Sequence, residues 1–199
     1  MIYYILLASG LSRRFQGENK LFYQVEGLPM YQRALSCACR VREELKAELG
    51  WDVQILVVTA YEKIAVEAER ASALAVINRE PEAGISCSVR LGIQAADPEE
   101  EDWLLFSVCD QPWMKAAEIK ALIIRTASSG KGIGVLSYQR EPGNPVMFLG
   151  SYRKELEVLQ GDRGGKAVLK KYLEDVFLTE VSSPQNLLDV DVRPAEGSL

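Results

Sequence analysis

The sequence predicts an α/β fold: one domain over residues 1–199, built on a doubly wound, mostly parallel sheet of the Rossmann-like type. Apolar, β-prone segments alternate along the chain with longer amphipathic segments, which is the pattern of strands joined by helices. The strand segments are apolar throughout, as expected for strands covered on both faces of a parallel sheet. A chain of 199 residues, 48% of them hydrophobic, can bury one such core, and no repeat or flexible linker divides it.

Six segments are predicted to be strands, because their apolar residues are rich in β-formers and lie between turn-forming residues. They are residues 2–8, 53–59, 74–78, 103–109, 133–138 and 176–181. The predicted helices are residues 29–49, 62–71, 86–96 and 115–128. The alternation breaks after residue 140, where "EPGNPVMFLG" and two short helix candidates are expected to complete one side of the domain and help to close its site.

The net charge limits the partners of the chain. At −5, the molecule as a whole is not attracted to nucleic acid or to anionic membranes, so neither is expected as a partner. No apolar run approaches the ~20 residues that a membrane-spanning helix needs. The opening "MIYYILLASG" has no cationic segment before its apolar run, so it does not resemble a secretory signal, and a cytoplasmic location is expected.

The residue types that are present narrow the chemistry. The sequence contains no histidine, which excludes Ser-His and Cys-His nucleophilic dyads and every His-ligated metal site. Of the four cysteines, only Cys37 and Cys39 are close in sequence, and they lack the second pair of a structural zinc site. Carboxylates, cationic side chains, hydroxyls and backbone amides remain, a set suited to Mg²⁺ and phosphate chemistry.

A cationic loop follows the first predicted strand. The apolar run ends at Ser9-Gly10, and the next ten residues carry Arg14 and Lys20 around Gly17. Because ligands of open α/β sheets bind beyond the carboxyl ends of the strands, this loop is predicted to hold phosphates in an exposed position. The spacing fits neither a P-loop nor the GxGxxG fingerprint. A solvated cationic turn is the alternative.

Two acidic features are candidates for metal binding. Asp110, in "VCDQP", comes directly after the strand predicted at 103–109, where a carboxylate is well placed to hold Mg²⁺ against a triphosphate. Its alternative role is a helix N-cap. Asp189 and Asp191, in "LLDVDV", are two residues apart in a segment predicted to be extended, so both would project from one face. Their alternative is a solvent-facing edge strand.

The order of these motifs resembles that of the MobA-like nucleotidyltransferases. "LLASGLSRRFQGENK" matches the family signature at its glycines, its cations and Ser12, and "VCDQP" is similar to the metal-binding segment. "INREPEAGISCSVRLGIQAA", "EPGNPVMF", "LQGDRGGKAVL" and "LLDVDVRPAE" resemble later family elements, so the likeness runs from residue 4 to about 196. The most similar branch is that of the molybdenum cofactor cytidylyltransferases. Asn144 and Lys166 depart from the usual His and Arg of its acceptor half.

The resemblance implies a Rossmann-like nucleotidyltransferase fold and a division of labour within it. Residues 1 to about 110 would bind the nucleotide and about 111 to 199 the acceptor. The substrates implied are CTP, or GTP, and a molybdopterin-type cofactor, with Mg²⁺ as the metal cofactor and pyrophosphate as the second product. A molybdenum hydroxylase apo-enzyme is the partner that would receive the product.

Roles for individual residues follow from the same resemblance. The catalytic residues implied are Arg14, Lys20 and Asp110. The metal ligands implied are Asp110 and Asp191, with Asp189 left open as the alternative second ligand. The nucleotide contacts implied are Leu7, Ala8, Ser9, Gly10, Ser12, Arg14, Lys20, Asn78, Gly84 and Ser88. Three alternatives stay open: transfer of GMP from GTP, transfer to a sugar phosphate or another phosphorylated alcohol, and a catalytically silent nucleotide- or cofactor-binding module.

Overall fold

The computed structural model describes residues 1–12, 15 and 19–191. Within these residues the strands are β1 (Ile2–Ala8), β2 (Gln24–Val25), β3 (Leu28–Pro29), β4 (Val53–Thr59), β5 (Leu74–Ile77), β6 (Trp103–Val108), β7 (Ile133–Tyr138), β8 (Glu141–Leu149) and β9 (Val176–Glu180). The helices are α1 (Met30–Leu49), α2 (Glu62–Arg70), α3 (Ile85–Ala96), α4 (Ala116–Ser128), α5 (Arg153–Glu157) and α6 (Gly165–Lys171). All six predicted strands and all four predicted helices are present, with ends within one or two residues of those predicted.

A mostly parallel sheet carries the fold, as predicted. Its order is β5-β4-β1-β6-β8-β7-β9, and β2 and β3 form a separate small hairpin. The strands β5, β4, β1 and β6 pair in parallel, with Ala8 of β1 opposite Thr59 of β4 and Leu7 opposite Val108 of β6. These strands therefore end together at one edge of the sheet, where the loops after β1 and β6 lie side by side.

The strand β8 was not predicted. It lies between β6 and β7 and is antiparallel to both. Two prolines, Pro142 and Pro145, conceal it in the sequence, because proline cannot donate a ladder hydrogen bond and disfavours a central strand. The structure accommodates them with a register irregularity against β7 between Val135 and Ser137. Burial of the residues that follow, Val146 to Phe148, then holds the strand in the sheet.

Two apolar layers cover the two faces of the sheet. On one face, Tyr4 and Leu6 of β1 pack with buried side chains of α1, α2 and α4. On the other face, Ile5 packs with buried side chains of α3, α5 and α6. A Cβ atom on Gly92, in α3, would lie only 2.7 Å from Cγ2 of Ile5, so the glycine permits a close approach of helix and strand. Cover on both faces explains why β1 is apolar at every position.

A third, smaller apolar cluster lies beside the edge where the parallel strands end. Phe15, Val25, Met30 and Val190 are buried in it, and Tyr23 and Trp113 pack against it. Residues 188–191 of the "LLDVDV" segment do not form a strand, so the edge-strand alternative for this segment is wrong. No helix in the described parts of the chain is both long enough and apolar enough to cross a membrane.

Candidate active site

A cleft of about 370 Å³ opens where β1 and β6 end. Its walls come from the loop after β1, the start of α3 and the segments that carry Asp110 and Asp191. Nine of the residues with predicted roles line it: Leu7, Ser9, Gly10, Ser12, Lys20, Gly84, Ser88, Asp110 and Asp191. The cleft is also lined by Leu11, Leu21, Pro81, Glu82, Ile85, Val108, Cys109 and Asp162.

Hydrogen bonds hold both ends of the loop after β1. The Ser9 hydroxyl donates to the carbonyl oxygen of Val58 (3.1 Å), and the Tyr61 hydroxyl donates to that of Gly10 (2.8 Å). Ser12, at a positive φ of 51°, accepts at its hydroxyl oxygen from the backbone N–H of Lys20 (3.0 Å). The loop is thereby closed at its base. The predicted residues Arg14 and Gly17 lie outside the described residues.

Lys20 joins the two carboxylates predicted to bind metal. Its Nζ donates to Oδ2 of Asp110 (2.6 Å) and to Oδ1 of Asp191 (2.9 Å). Only 14% of the Lys20 side chain is exposed, so the expectation of an exposed lysine is wrong. Burial alone would lower the pKa of Lys20, but the two carboxylates outweigh it and raise that pKa, so the ammonium stays charged at neutral pH.

The carboxylate of Asp110 has one oxygen without a partner among the described residues, and it does not cap a helix. The N-cap of α4 is Lys115, so the N-cap alternative for Asp110 is wrong. Among the described residues, its Oδ1 is buried without a hydrogen-bond partner while Oδ2 is held by Lys20. A buried carboxylate oxygen with no donor is costly, and it is a ligand atom of the kind that a hard divalent cation prefers.

The two aspartates of "LLDVDV" have different surroundings. Asp189 accepts from Nε2 of Gln111 (2.8 Å), whereas Asp191 meets Lys20. Burial, followed by the charge of Asp110, raises the pKa of Asp189. Within the described ranges, no three or more acidic, cysteine or histidine side chains form a ready metal cage. Asp110 and Asp191 thus fit a cation such as Mg²⁺, which takes one or two protein carboxylates and completes its shell with phosphate oxygens and water.

The opposite wall of the cleft is built on Gly84. This residue has φ 87° and ψ 179°, a conformation essentially restricted to glycine. A Cβ atom there would lie 2.5 Å from the carbonyl carbon of Gly161 and 2.8 Å from Oδ1 of Asp162. The N–H of Ser86 also donates to the carbonyl oxygen of Gly161 (3.1 Å). The start of α3 and the segment at 161–162 therefore form one continuous wall.

Asp162 is a cleft residue for which no role was predicted. The signal was its motif, "LQGDRGGKAVL", which is recognisable in the sequence, but nothing in the spacing shows that this segment folds back against Gly84. Glu82 lines the same part of the cleft. Glu82 and Asp162 therefore form an acidic wall of the cleft, whose described lining also carries Lys20, Asp110 and Asp191.

Two residues predicted to contact the nucleotide lie behind the cleft wall. Asn78 is 2% exposed; its Nδ2 donates to the hydroxyl of Ser88 (3.0 Å), and its Oδ1 accepts from the N–H of Glu80 (2.9 Å). Ala8 is fully buried, and its carbonyl oxygen accepts from the Thr59 hydroxyl (3.0 Å). In this geometry Asn78 supports Ser88, which lines the cleft, while Ala8 belongs to the sheet.

The thiol beside the cleft is unsuited to nucleophilic chemistry. Burial, with a smaller effect of the Asp110 charge, raises the pKa of Cys109 well above its usual value. The protonated thiol is a poor nucleophile. The site contains a cation, carboxylates and the backbone of the loop after β1, all at the carboxyl end of a parallel sheet. These are the groups with which α/β proteins bind phosphates.

Comparison with known proteins assigns the family. The chain belongs to the MobA-like NTP transferase domain family, whose model matches residues 4–176. It is therefore a nucleotidyltransferase of the α/β class. No curated protein sequence matches the chain significantly.

Solved structures share the fold at low sequence identity. Rv0371c of Mycobacterium tuberculosis H37Rv is 23% identical with a TM-score of 0.72, covering 96% of this chain and 93% of that one. A nucleotidyl transferase from Methanothermobacter, Mth528, is 20% identical with a TM-score of 0.75, covering 96% and 92%. CMP:2-keto-3-deoxy-manno-octonic acid synthetase, in complex with CTP, is 12% identical with a TM-score of 0.65, covering 96% and 93%.

Proposed function

We propose that the protein transfers CMP from CTP to the terminal phosphate of a molybdopterin-type cofactor, releasing pyrophosphate, in a Mg²⁺-dependent reaction. The observation that carries the nucleotidyl-transfer chemistry is the convergence of Lys20, Asp110 and Asp191 beside the loop after β1. The sequence resemblance supports CTP and the molybdopterin acceptor. The CTP complex of the synthetase with the same fold is consistent with a cytidine nucleotide.

The triphosphate would bind at the Lys20 end of the cleft. The ammonium of Lys20 is charged at neutral pH and partly shielded from water, which strengthens its attraction to phosphate oxygens. Backbone N–H groups of residues 9–12 would add donors, and Arg14 would add a second cation. The carboxylates of Glu82 and Asp162 would repel phosphates. The acidic wall that carries them therefore suits the uncharged parts of the substrates.

Asp110 and Asp191 would hold the divalent cation. When bound, Mg²⁺ would offset the negative charge of the phosphates and of the departing pyrophosphate. A related fold, Rv0371c, has been crystallised in complex with manganese, at 22% identity and a TM-score of 0.62 over 90% of this chain and 88% of that one. This precedent supports a divalent metal without distinguishing Mg²⁺ from Mn²⁺.

The chain itself would supply positioning and charge rather than a base. An oxygen of the acceptor phosphate attacks the α-phosphorus of CTP, the bond to the bridging oxygen of the β-phosphate breaks, and that electron pair leaves on pyrophosphate. A phosphate monoester is already ionised near neutral pH, so no side chain has to remove a proton. This requirement fits a sequence without histidine. Lys20 would stabilise the charge that develops on the leaving group.

The decisive experiment is a pyrophosphate-release assay with each of the four NTPs, using molybdopterin and a panel of sugar phosphates as acceptors. The proposal expects turnover with CTP and molybdopterin, strictly dependent on a divalent cation. Turnover with GTP would move the assignment to guanylyl transfer, and turnover with a sugar phosphate would change the acceptor. If CTP bound without pyrophosphate release from any acceptor, a silent binding module would be the better account. Asp52→Asn, at the far end of the sheet, serves as a matched control for loss of a carboxylate.

A further inference from the structure

The segment of residues 187–191, called the strap below, crosses the edge of the sheet beside the cleft. We infer that the strap positions the two proposed metal carboxylates and the loop after β1, and that Gln111 and Val190 are the positioning residues through which it acts. The inference rests on the proposed function for its metal readout only.

One side of the strap is bound to the residues that follow β6. Gln111 is 5% exposed, and its Nε2 donates both to the carbonyl oxygen of Leu187 (3.1 Å) and to Oδ1 of Asp189 (2.8 Å). The N–H of Val190 donates to the carbonyl oxygen of Asp110 (2.9 Å). The backbone of Asp110 is therefore held from the strap side, which limits the directions in which its carboxylate can point.

The other side of the strap is packed against the loop after β1. Val190 is 6% exposed and shares an apolar cluster with Phe15, a residue of that loop that is 2% exposed. Trp113 packs against the same cluster. Lys20, which comes later in the chain, lines the cleft, and its ammonium meets Asp191. A single segment thus contacts both the loop and the strand end that carry the charges of the site.

Three consecutive residues of the strap have three different partners. Asp189 accepts from Gln111, Val190 enters the apolar cluster, and Asp191 accepts from Lys20 at the cleft. Asp189 is therefore engaged in holding the strap, while Asp191 is presented to the site. The geometry assigns Asp191, rather than Asp189, as the second carboxylate of the proposed metal site, a choice that the sequence leaves open.

The test compares variants in the full chain, with Mn²⁺ as the probe metal. Gln111→Met keeps the side-chain length but removes the donor, and Val190→Ala removes apolar contact with Phe15. Each is expected to lower Mn²⁺ affinity, measured by the electron paramagnetic resonance of free Mn²⁺, by about 10-fold, the range for groups that orient metal ligands. The Mn²⁺ affinity of Val190→Ile, which keeps an apolar side chain in contact with the cluster, is expected to stay close to that of the unaltered protein.

The matched control is Val53→Ala. Val53 is 8% exposed, close to the 6% of Val190, but it lies opposite Ile2 at the start of β4, the end of the parallel strands that is remote from the strap. It is expected to lower the melting temperature without changing Mn²⁺ affinity. If Gln111→Met and Val190→Ala also lowered only the melting temperature, the strap would be merely structural and the inference would be overturned.

Two further readouts separate this inference from the proposed function. Hydrogen exchange in peptides covering residues 9–22 is expected to accelerate in Val190→Ala and not in Val53→Ala, whether or not the protein binds metal. Unchanged exchange would overturn the strap even if the enzyme proved to be a cytidylyltransferase. Asp191→Asn is expected to reduce Mn²⁺ affinity by more than Asp189→Asn, in which an amide oxygen can still accept from Gln111. The opposite order would overturn the assignment of Asp191.

Discussion

The aspartates at the two ends of the parallel sheet differ in their hydrogen-bond and ion-pair partners. At the amino end, three aspartates meet three different donors: Asp52 meets Lys46 (2.7 Å), Asp97 meets Arg153 (2.8 Å), and Asp102 accepts from the N–H of Glu99 (3.0 Å). At the carboxyl end, Asp110 and Asp191 meet the same lysine, and Oδ1 of Asp110 is buried without a partner among the described residues.

The two sets of aspartates differ in their exposure and in what their positions cost the folded protein. An ion pair such as that of Asp52 with Lys46, in which both side chains are more than half exposed, contributes little to stability. At the carboxyl end, burial first and the charge of Asp110 second raise the pKa of Asp189, and holding carboxylates in such surroundings is costly unless a ligand offsets the cost. The same residue type therefore serves as surface charge at one end and as the candidate site at the other.

The largest effect is expected for Asp110→Asn at the carboxyl end. Pyrophosphate release at saturating Mg²⁺ should fall at least about 100-fold, because charge stabilisation through a bound metal is worth several kcal/mol. Metal-free binding of CTP, measured by titration calorimetry, should be unchanged or slightly tighter, since one negative charge is gone. Near-normal turnover would remove the metal role of Asp110 and weaken the contrast between the two ends.

A second effect is expected for Lys20→Met, which leaves two carboxylates without their shared cation. CTP affinity in the presence of Mg²⁺ should fall by roughly 10-fold or more, in line with the loss of a charge-assisted hydrogen bond. Unfolding free energy should also fall by about 1–2 kcal/mol, more than for a surface lysine, because the pair is partly buried. Denaturant titration checks the second number, and Lys20→Arg, which keeps the charge, is the control. An unchanged CTP affinity would make Lys20 a structural counter-ion only.

A smaller and more selective effect is expected for Asp162→Asn on the acidic wall. If this carboxylate accepts hydrogen bonds from the acceptor, the KM for the acceptor should rise by about 10-fold, since hydrogen bonds to charged groups are worth about 1.5–3 kcal/mol. The Kd for CTP should change less than about twofold. Gln160→Ala, on the same segment but outside the cleft lining, is the control. A rise in the Kd for CTP instead would place the nucleotide, not the acceptor, at this wall.

The smallest effect is expected for Asp52→Asn at the amino end, which should leave turnover unchanged. The hydrogen bond and charge of Lys46 hold the pKa of Asp52 below its usual value. A lowered pKa contributes stability that is present above the unfolded pKa of about 3.9 and is lost as the pH falls through the folded value. The small difference in melting temperature between the two proteins at pH 7 should therefore vanish in strongly acidic buffer. A loss of turnover in Asp52→Asn would show that the two ends are not independent.

Most of the regular structure could be predicted from local sequence pattern. The strands β1, β4 and β6 are mainly apolar runs, and α1 begins directly after a proline and ends at a glycine in the left-handed conformation, φ 69°. The strand β8 was not predicted because its prolines disfavour a central strand. Its pairing with β6 on one side and β7 on the other outweighs that local preference. Local rules fail where neighbouring strands supply the stabilisation.

The cleft was only partly predictable, because the local sequence does not show which distant segments of the chain meet in the fold. Asp162 reaches the cleft through a contact with Gly84, some eighty residues away in sequence. Asn78 directly follows β5, one residue beyond the strand's end, and the packing of α3 buries it behind Ser88. Nothing in "LLDVDV" distinguishes Asp189 from Asp191 until Gln111 and Lys20 are placed on either side of them.

The sequence by itself determined the fold class, the loop after β1 and the position of Asp110 at a strand end, because each depends on residues that are neighbours in the chain. It also limited the chemistry to charge and phosphate by containing no histidine. Only the tertiary structure decided which charges meet, since Lys20, Asp110 and Asp191 are brought together from three distant segments. The physical reason is that burial and Coulomb interaction depend on distances in space. The parallel register of the strands and the position of the strap determine those distances.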